Sequence, residues 1–174
     1  MNDTVSGIFS LSILSQAIRI SVPYVLATLG GTLSELGGVV NIALEGLILT
    51  GAFCAVLGTY YSGSAWVGLL CAMLGGGLAA LLHGVVCIRY RANQIISGLA
   101  VNILAVGLTK FFLKVIFHSS SNSSRVEGLP VWDWGALSSV PVLGEIVSYP
   151  LILVTVLLIV GAHWLVNRTP FGLR

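Results

Sequence analysis

Residues Ser34 to Phe53 read SELGGVVNIALEGLILTGAF, and the fold is decided there. Gly37 and Gly38 interrupt two apolar stretches, and the second stretch carries Asn41 and Glu45 toward what reads as a lipid-spanning helix. A carboxylate near the middle of such a helix costs about 2.5–3.5 kcal/mol on an insertion scale, so it normally faces a partner or a watery cavity. A spacing of four predicts one helical face for Asn41 and Glu45. A helix starting at Val39 puts Glu45 about 9 Å along it, at 1.5 Å per residue.

The rest of the chain supports a membrane reading. Of its 174 residues 56% are hydrophobic and 8% charged, against about 25% charged in ordinary soluble domains. The expected fold class is an all-α, polytopic transmembrane bundle of about five spans, each roughly 20 residues long. They fall near Ile8–Gly31, Val39–Tyr60, Ala65–Ile88, Ile95–Phe117 and Tyr149–Val166. Thr32–Gly38 reads as a short loop, Ser62–Ser64 as a turn, and residues 118–148 as an extracytoplasmic loop with a short interfacial piece near Val131–Leu137. Tyr60, Tyr61 and Trp66 form an aromatic belt at one interface.

Several spans carry a small or polar seam. In the first, Ser12, Gln16, Arg19, Pro23, Ala27 and Gly30 recur every three or four residues. Arg19 either snorkels to the interface or is an intramembrane charge whose candidate partner is Glu45. In the third, Gly68, Ala72, Gly76, Ala80 and Gly84 make a small-xxx-small stripe, read as a helix-packing face. In the fourth, Gly98, Asn102, Ala105 and Thr109 form a second seam. Arg89 and Arg91 mark one side of the membrane, and Arg168 and Arg174 return to it two spans later. The positive-inside rule makes that side cytoplasmic, with the N-terminus outside and Ser34–Gly38 inside.

Other chemistries lack their patterns. Cys54, Cys71 and Cys87 lie in apolar stretches with no CxxC pairing, so no zinc site is expected, and no Lys/Arg run offers a nucleic-acid surface. His83 has no second histidine at i+4, as a zinc helix would, and reads as a polar packing residue. Gly75–Gly77 lacks the Gly-Lys-Ser/Thr ending of a phosphate loop. Spans with polar inner seams remain, and they suit a solute path.

Three runs then carry a resemblance: GGVVNIALEGLILTGAF, ANQIISGLAVNILAVGLT (Ala92 to Thr109) and the ending RTPFGLR. In order and spacing they resemble the membrane permeases of bacterial ABC importers for nucleosides and related simple sugars. The resemblance implies a domain of residues 1–174 forming the N-terminal part of a longer permease in the bacterial cytoplasmic membrane. It also implies a second permease subunit, a cytoplasmic ATPase subunit holding ATP and Mg, and an extracytoplasmic substrate-binding protein. The permease is then no enzyme, and holds no cofactor or metal of its own.

On that reading Asn41, Glu45, Ser97 and Asn102 belong to the substrate pathway, and Arg168, Phe171 and Arg174 to the ATPase-coupling side. Leu36 stands where the family suggests a basic residue, and Ala43 where it usually has Gly. The alternatives are a ribose- or galactose-like sugar permease of the same superfamily and a non-transporting truncated scaffold.

Overall fold

The structure, a computed structural model, describes residues 11–133 and 147–169. Five α-helices follow in order: α1 (Leu11–Leu36), α2 (Leu44–Ser62), α3 (Ala65–Gly84), α4 (Gln94–Phe117) and α5 (Pro150–Arg168). A π-helical turn, Val85–Arg89, extends α3. No strand occurs among the described residues. Among the described residues four segments are long and apolar enough to cross a membrane: Leu44–Ser62, Ala65–Arg89, Gln94–Phe117 and Pro150–Arg168. At 26 residues α1 is the longest of the described helices.

The chain divides into two compact units, Gly31–Leu129 and Met1–Gly30 with Pro130–Arg174. In the first, α2 and α3 form a tight antiparallel hairpin. Gly63 closes α2 in the left-handed region, at φ 67°, and its N–H donates to the Thr59 carbonyl at 2.8 Å. Small residues then let the two backbones meet. A Cβ on Gly68 would fall 2.8 Å from the Ala55 oxygen, one on Gly58 would fall 2.8 Å from Cys71 Cβ, and one on Gly51 3.4 Å from the Ala72 oxygen. Leu47 lies across from Gly76 in the same way, at 3.7 Å. The stripe Gly68, Ala72, Gly76 therefore runs along a complementary row on α2: Leu47, Gly51, Ala55 and Thr59. Farther along α3, Ala80 is exposed and the Cβ position of Gly84 has no atom within 4 Å.

α4 completes this unit. Asn93 caps it, its Oδ1 accepting from the Ile95 and Ile96 N–H groups at 2.9 and 3.2 Å. Ser97, Gly98, Val101, Ala105 and Thr109 form its buried face. At the far end Phe117 meets Tyr60 edge to face, with ring centroids 5.1 Å apart.

The link between α1 and α2 differs from the expectation. Thr32–Leu36, predicted as loop, continues α1 through Gly30 and Gly31. Two bonds then stop the helix: Gly38 N–H to Glu35 O at 2.9 Å and Val39 N–H to Ser34 O at 3.1 Å. With Gly38 at φ 84° this is a Schellman ending. α2 starts at Leu44 and not at Val39, so residues 37–43 are a break of irregular backbone.

In the second unit, Pro150 opens α5 at its first turn, where a missing N–H costs nothing. The Trp132 N–H donates to the Ser148 carbonyl at 2.9 Å. Of the expected interfacial piece Val131–Leu137, residues 131–133 carry no helix, and 134–137 lie outside the described residues.

Candidate functional site

The break brings together the polar residues of the opening stretch. Asn41 and Glu45 do not share a helical face, because Asn41 precedes α2. Its Oδ1 turns back to accept from the Ala43 N–H at 3.1 Å, which shapes the entry to the helix. Glu45 occupies the first turn of α2, and its side chain is exposed, with no hydrogen bond or ion pair to another described residue. A carboxylate at a helix N-terminus gains about 0.3–1 kcal/mol from the helix dipole. That position, at a helix end beside irregular backbone, costs far less than the mid-span placement first read from the sequence.

α2 starts without a capping side chain of its own, since its N-cap residue is Ala43. Asn102 on α4 supplies the cap. Its Oδ1 accepts from the Gly46 N–H at 2.8 Å and its Nδ2 donates to the Ile42 carbonyl at 3.0 Å. One carboxamide thus satisfies an orphan donor and a carbonyl of the break together. The contact is close because Gly46 lacks a side chain: a Cβ there would stand 2.9 Å from Asn102 Cα. Gly98 does the same one turn earlier, where a Cβ would fall 3.0 Å from Ile42 Cβ and 3.1 Å from the Ala43 nitrogen.

A second carboxamide repeats the pattern. Gln94 Oε1 accepts from the Val40 N–H at 2.7 Å, and Nε2 donates to the Gly38 carbonyl at 3.2 Å. Gln94 and Asn102 lie about 12 Å apart along α4. Between them they grip the break at both ends. Ser34 adds an internal tie, its Oγ donating to the Val39 carbonyl at 2.8 Å. The sequence reading placed Gln94 in a loop, and gave no partner to Asn102.

Ser97 lies on the same helix, buried, with its hydroxyl 3.0 Å from His83 Nδ1 on α3. Cys87 Sγ stands 3.7 and 3.8 Å from the two ring nitrogens. This buried trio ties the end of α3 to the start of α4. Among the described residues no group of three His, Cys, Asp or Glu could hold a metal ion.

In the other unit, Arg19 donates from Nη1 to the Tyr149 hydroxyl at 2.8 Å and lies 4.6 Å from that ring's centroid. One aromatic ring thereby takes both a hydrogen bond and a cation–π contact from the guanidinium. Arg168 ends α5, whereas Phe171 and Arg174 lie outside the described residues.

The break with its two amide grips is an element of irregular backbone at the end of an apolar bundle. Comparison with known proteins gives it a family. Residues 13–174 match the family described as branched-chain amino acid transport system / permease component. The chain belongs to that family. It is therefore a multi-pass membrane protein.

Among curated relatives, the chain is 39% identical over 175 residues to the guanosine ABC transporter permease protein NupQ of Bacillus subtilis, covering 94% of this chain and 54% of that one. It is 34% identical over 172 residues to the nucleoside ABC transporter permease protein NupC of Lactococcus lactis, covering 93% and 54%. A putative glucose ABC transporter permease protein, TsgC13 of Haloferax volcanii, is 35% identical over 104 residues, covering 60% and 32%. The chain spans about half the length of the first two relatives. No solved structure matches it.

Proposed function

We propose that this chain serves as a permease subunit of an ABC importer that moves nucleosides across the bacterial cytoplasmic membrane. A partner ATPase hydrolyses ATP with Mg, a second permease subunit completes the path, and an extracytoplasmic binding protein delivers the solute. The observation that carries this reading is the pair of nucleoside-type permeases matched over more than nine-tenths of the chain.

The geometry adds support for where the path runs. Gln94 binds the break at Gly38 and Val40, so the break sits at the end of the bundle that also bears Arg89 and Arg91. The positive-inside rule assigns that end to the cytoplasm. Glu45 and Asn41 then border the inner part of the path, and the ATPase-coupling role belongs to the segment of Arg168, Phe171 and Arg174. Glu45 either accepts hydrogen bonds from ribose hydroxyls or pairs with a cation in the assembled importer.

Uptake of labelled nucleoside tests the reading. Deletion at the native locus abolishes uptake, and re-expression restores it. The partial match to a glucose permease favours one second reading, a simple-sugar permease. Excess unlabelled nucleoside suppresses uptake on the first reading; suppression by sugar and not by nucleoside supports the second.

A further inference from the structure

The two amide grips are unequal. At Asn102 the contact is made backbone to backbone, with Gly46 and Gly98 both lacking the side chain that would hold the helices apart. Its two bonds, 2.8 and 3.0 Å, join a rigid helix face to the first turn of α2. Gln94 instead reaches the break through a longer, flexible side chain, with bonds of 2.7 and 3.2 Å at an exposed position. Gly38 and Val40 are exposed there, and the Cβ position of Gly38 has no atom within 4 Å. Water can replace the exposed Gln94 bonds at little net cost, whereas opening the Asn102 pair would strand the buried Gly46 N–H between two packed helices.

We propose that Asn102 is the pivot and Gln94 the releasable latch of the α1–α2 break: the Gln94 bonds open and re-form during each ATP-driven cycle while the Asn102 bonds persist. Both are positioning residues, acting through the backbone of residues 38–46. The inference rests on the transport reading above. It assigns to Gln94 a part in the cycle that a static brace would not have.

Two-state elements of this kind respond to a ligand only if the ligand favours one state, so the latch must open more often when ATP is being turned over. Amide hydrogen exchange reads this directly. The importer is purified through a tag on this chain expressed from its native locus, and exchange is followed with and without MgATP. The latch predicts that the Val40 amide exchanges about tenfold faster during turnover, the factor expected for loss of one or two exposed hydrogen bonds, while the Gly46 amide stays protected. Gln94→Leu raises Val40 exchange to that level without ATP and leaves Gly46 unchanged.

Equal Val40 exchange in both conditions, in a preparation that hydrolyses ATP, overturns the latch and makes Gln94 a brace. Loss of Gly46 protection during turnover overturns the assignment of the pivot. If no ATPase accompanies the chain, the transport reading itself fails, and the latch fails with it. Nucleoside uptake measured in the same cells separates that failure from the first two.

Discussion

Asn102 caps a helix to which it does not belong, its Oδ1 accepting the Gly46 N–H at 2.8 Å across 56 positions of sequence. An N-cap is normally a neighbour in sequence, a Ser, Thr, Asp or Asn immediately before the first turn. Here the local position is Ala43, and the cap arrives from α4. The start of α2 is thus fixed by tertiary structure, and so is the placement of Glu45 in its first turn.

Asn102→Ala removes both bonds and leaves Gly46 N–H and Ile42 C=O without a partner. Stranding the buried Gly46 N–H costs about 1–3 kcal/mol, while water reaches the exposed Ile42 C=O. The expected result is a lower thermal midpoint in detergent than wild type, whereas Asn102→Gln, which keeps a carboxamide, recovers part of the loss. A midpoint unchanged in the alanine variant would show that water replaces the cap freely.

Gly46→Ala tests the same contact from the other side. The new methyl would stand 2.8 Å from Asn102 Oδ1 and 2.9 Å from Asn102 Cα, and the second of these is backbone that cannot swing away. Overpacking of this kind costs about 1–3 kcal/mol. Differential scanning fluorimetry should place Gly46→Ala well below wild type, despite alanine's better helix propensity.

The α3 stripe divides into an engaged and an open part. Gly68→Val drives a side chain into Thr59 and the Ala55 carbonyl and should separate the hairpin, lowering the amount of protein in the membrane. At Gly84 an added Cβ meets no described atom within 4 Å, and Gly84→Val should leave the α2–α3 hairpin intact. Disulfide trapping between cysteines placed on α2 and α3 distinguishes the two: trapping is lost with the first substitution and kept with the second.

How much of this was legible beforehand follows from where each feature gets its energy. The hairpin turn at Ser62–Ser64 and the ends of α3 and α4 followed from apolar length and turn residues, because burial in lipid sets them locally. The seam Gly98, Asn102, Ala105 and Thr109 could be read from its spacing, and three of those four residues are buried. The break was misplaced, with Thr32–Leu36 taken out of a helix and Val39–Ala43 put into one. Its boundaries depend on Gln94 and Asn102, whose partners lie 54 to 60 positions away. No local propensity encodes such a bond. Two Gln and Asn side chains on one face of α4, opposite a Gly-flanked break, were the available signal.

Ser97 and His83 make a smaller test of the same lesson. Their 3.0 Å contact fills the hydrogen-bonding needs of a buried ring and hydroxyl together. Ser97→Ala leaves His83 Nδ1 without that partner and should cost about 1–3 kcal/mol in stability, read as a lowered detergent midpoint. If Ser97 also lines the solute path, the variant changes nucleoside affinity at equal protein level.

Glu45 is the most direct probe of the whole account, because it is an exposed carboxylate at the start of α2 with no partner among the described residues. The decisive measurement is uptake of labelled nucleoside by cells carrying Glu45→Gln at the native locus, with the membrane level of the importer measured alongside. The account predicts impaired uptake, through a lost solute contact or a lost brace in the assembly. Uptake and assembly both equal to wild type would contradict it.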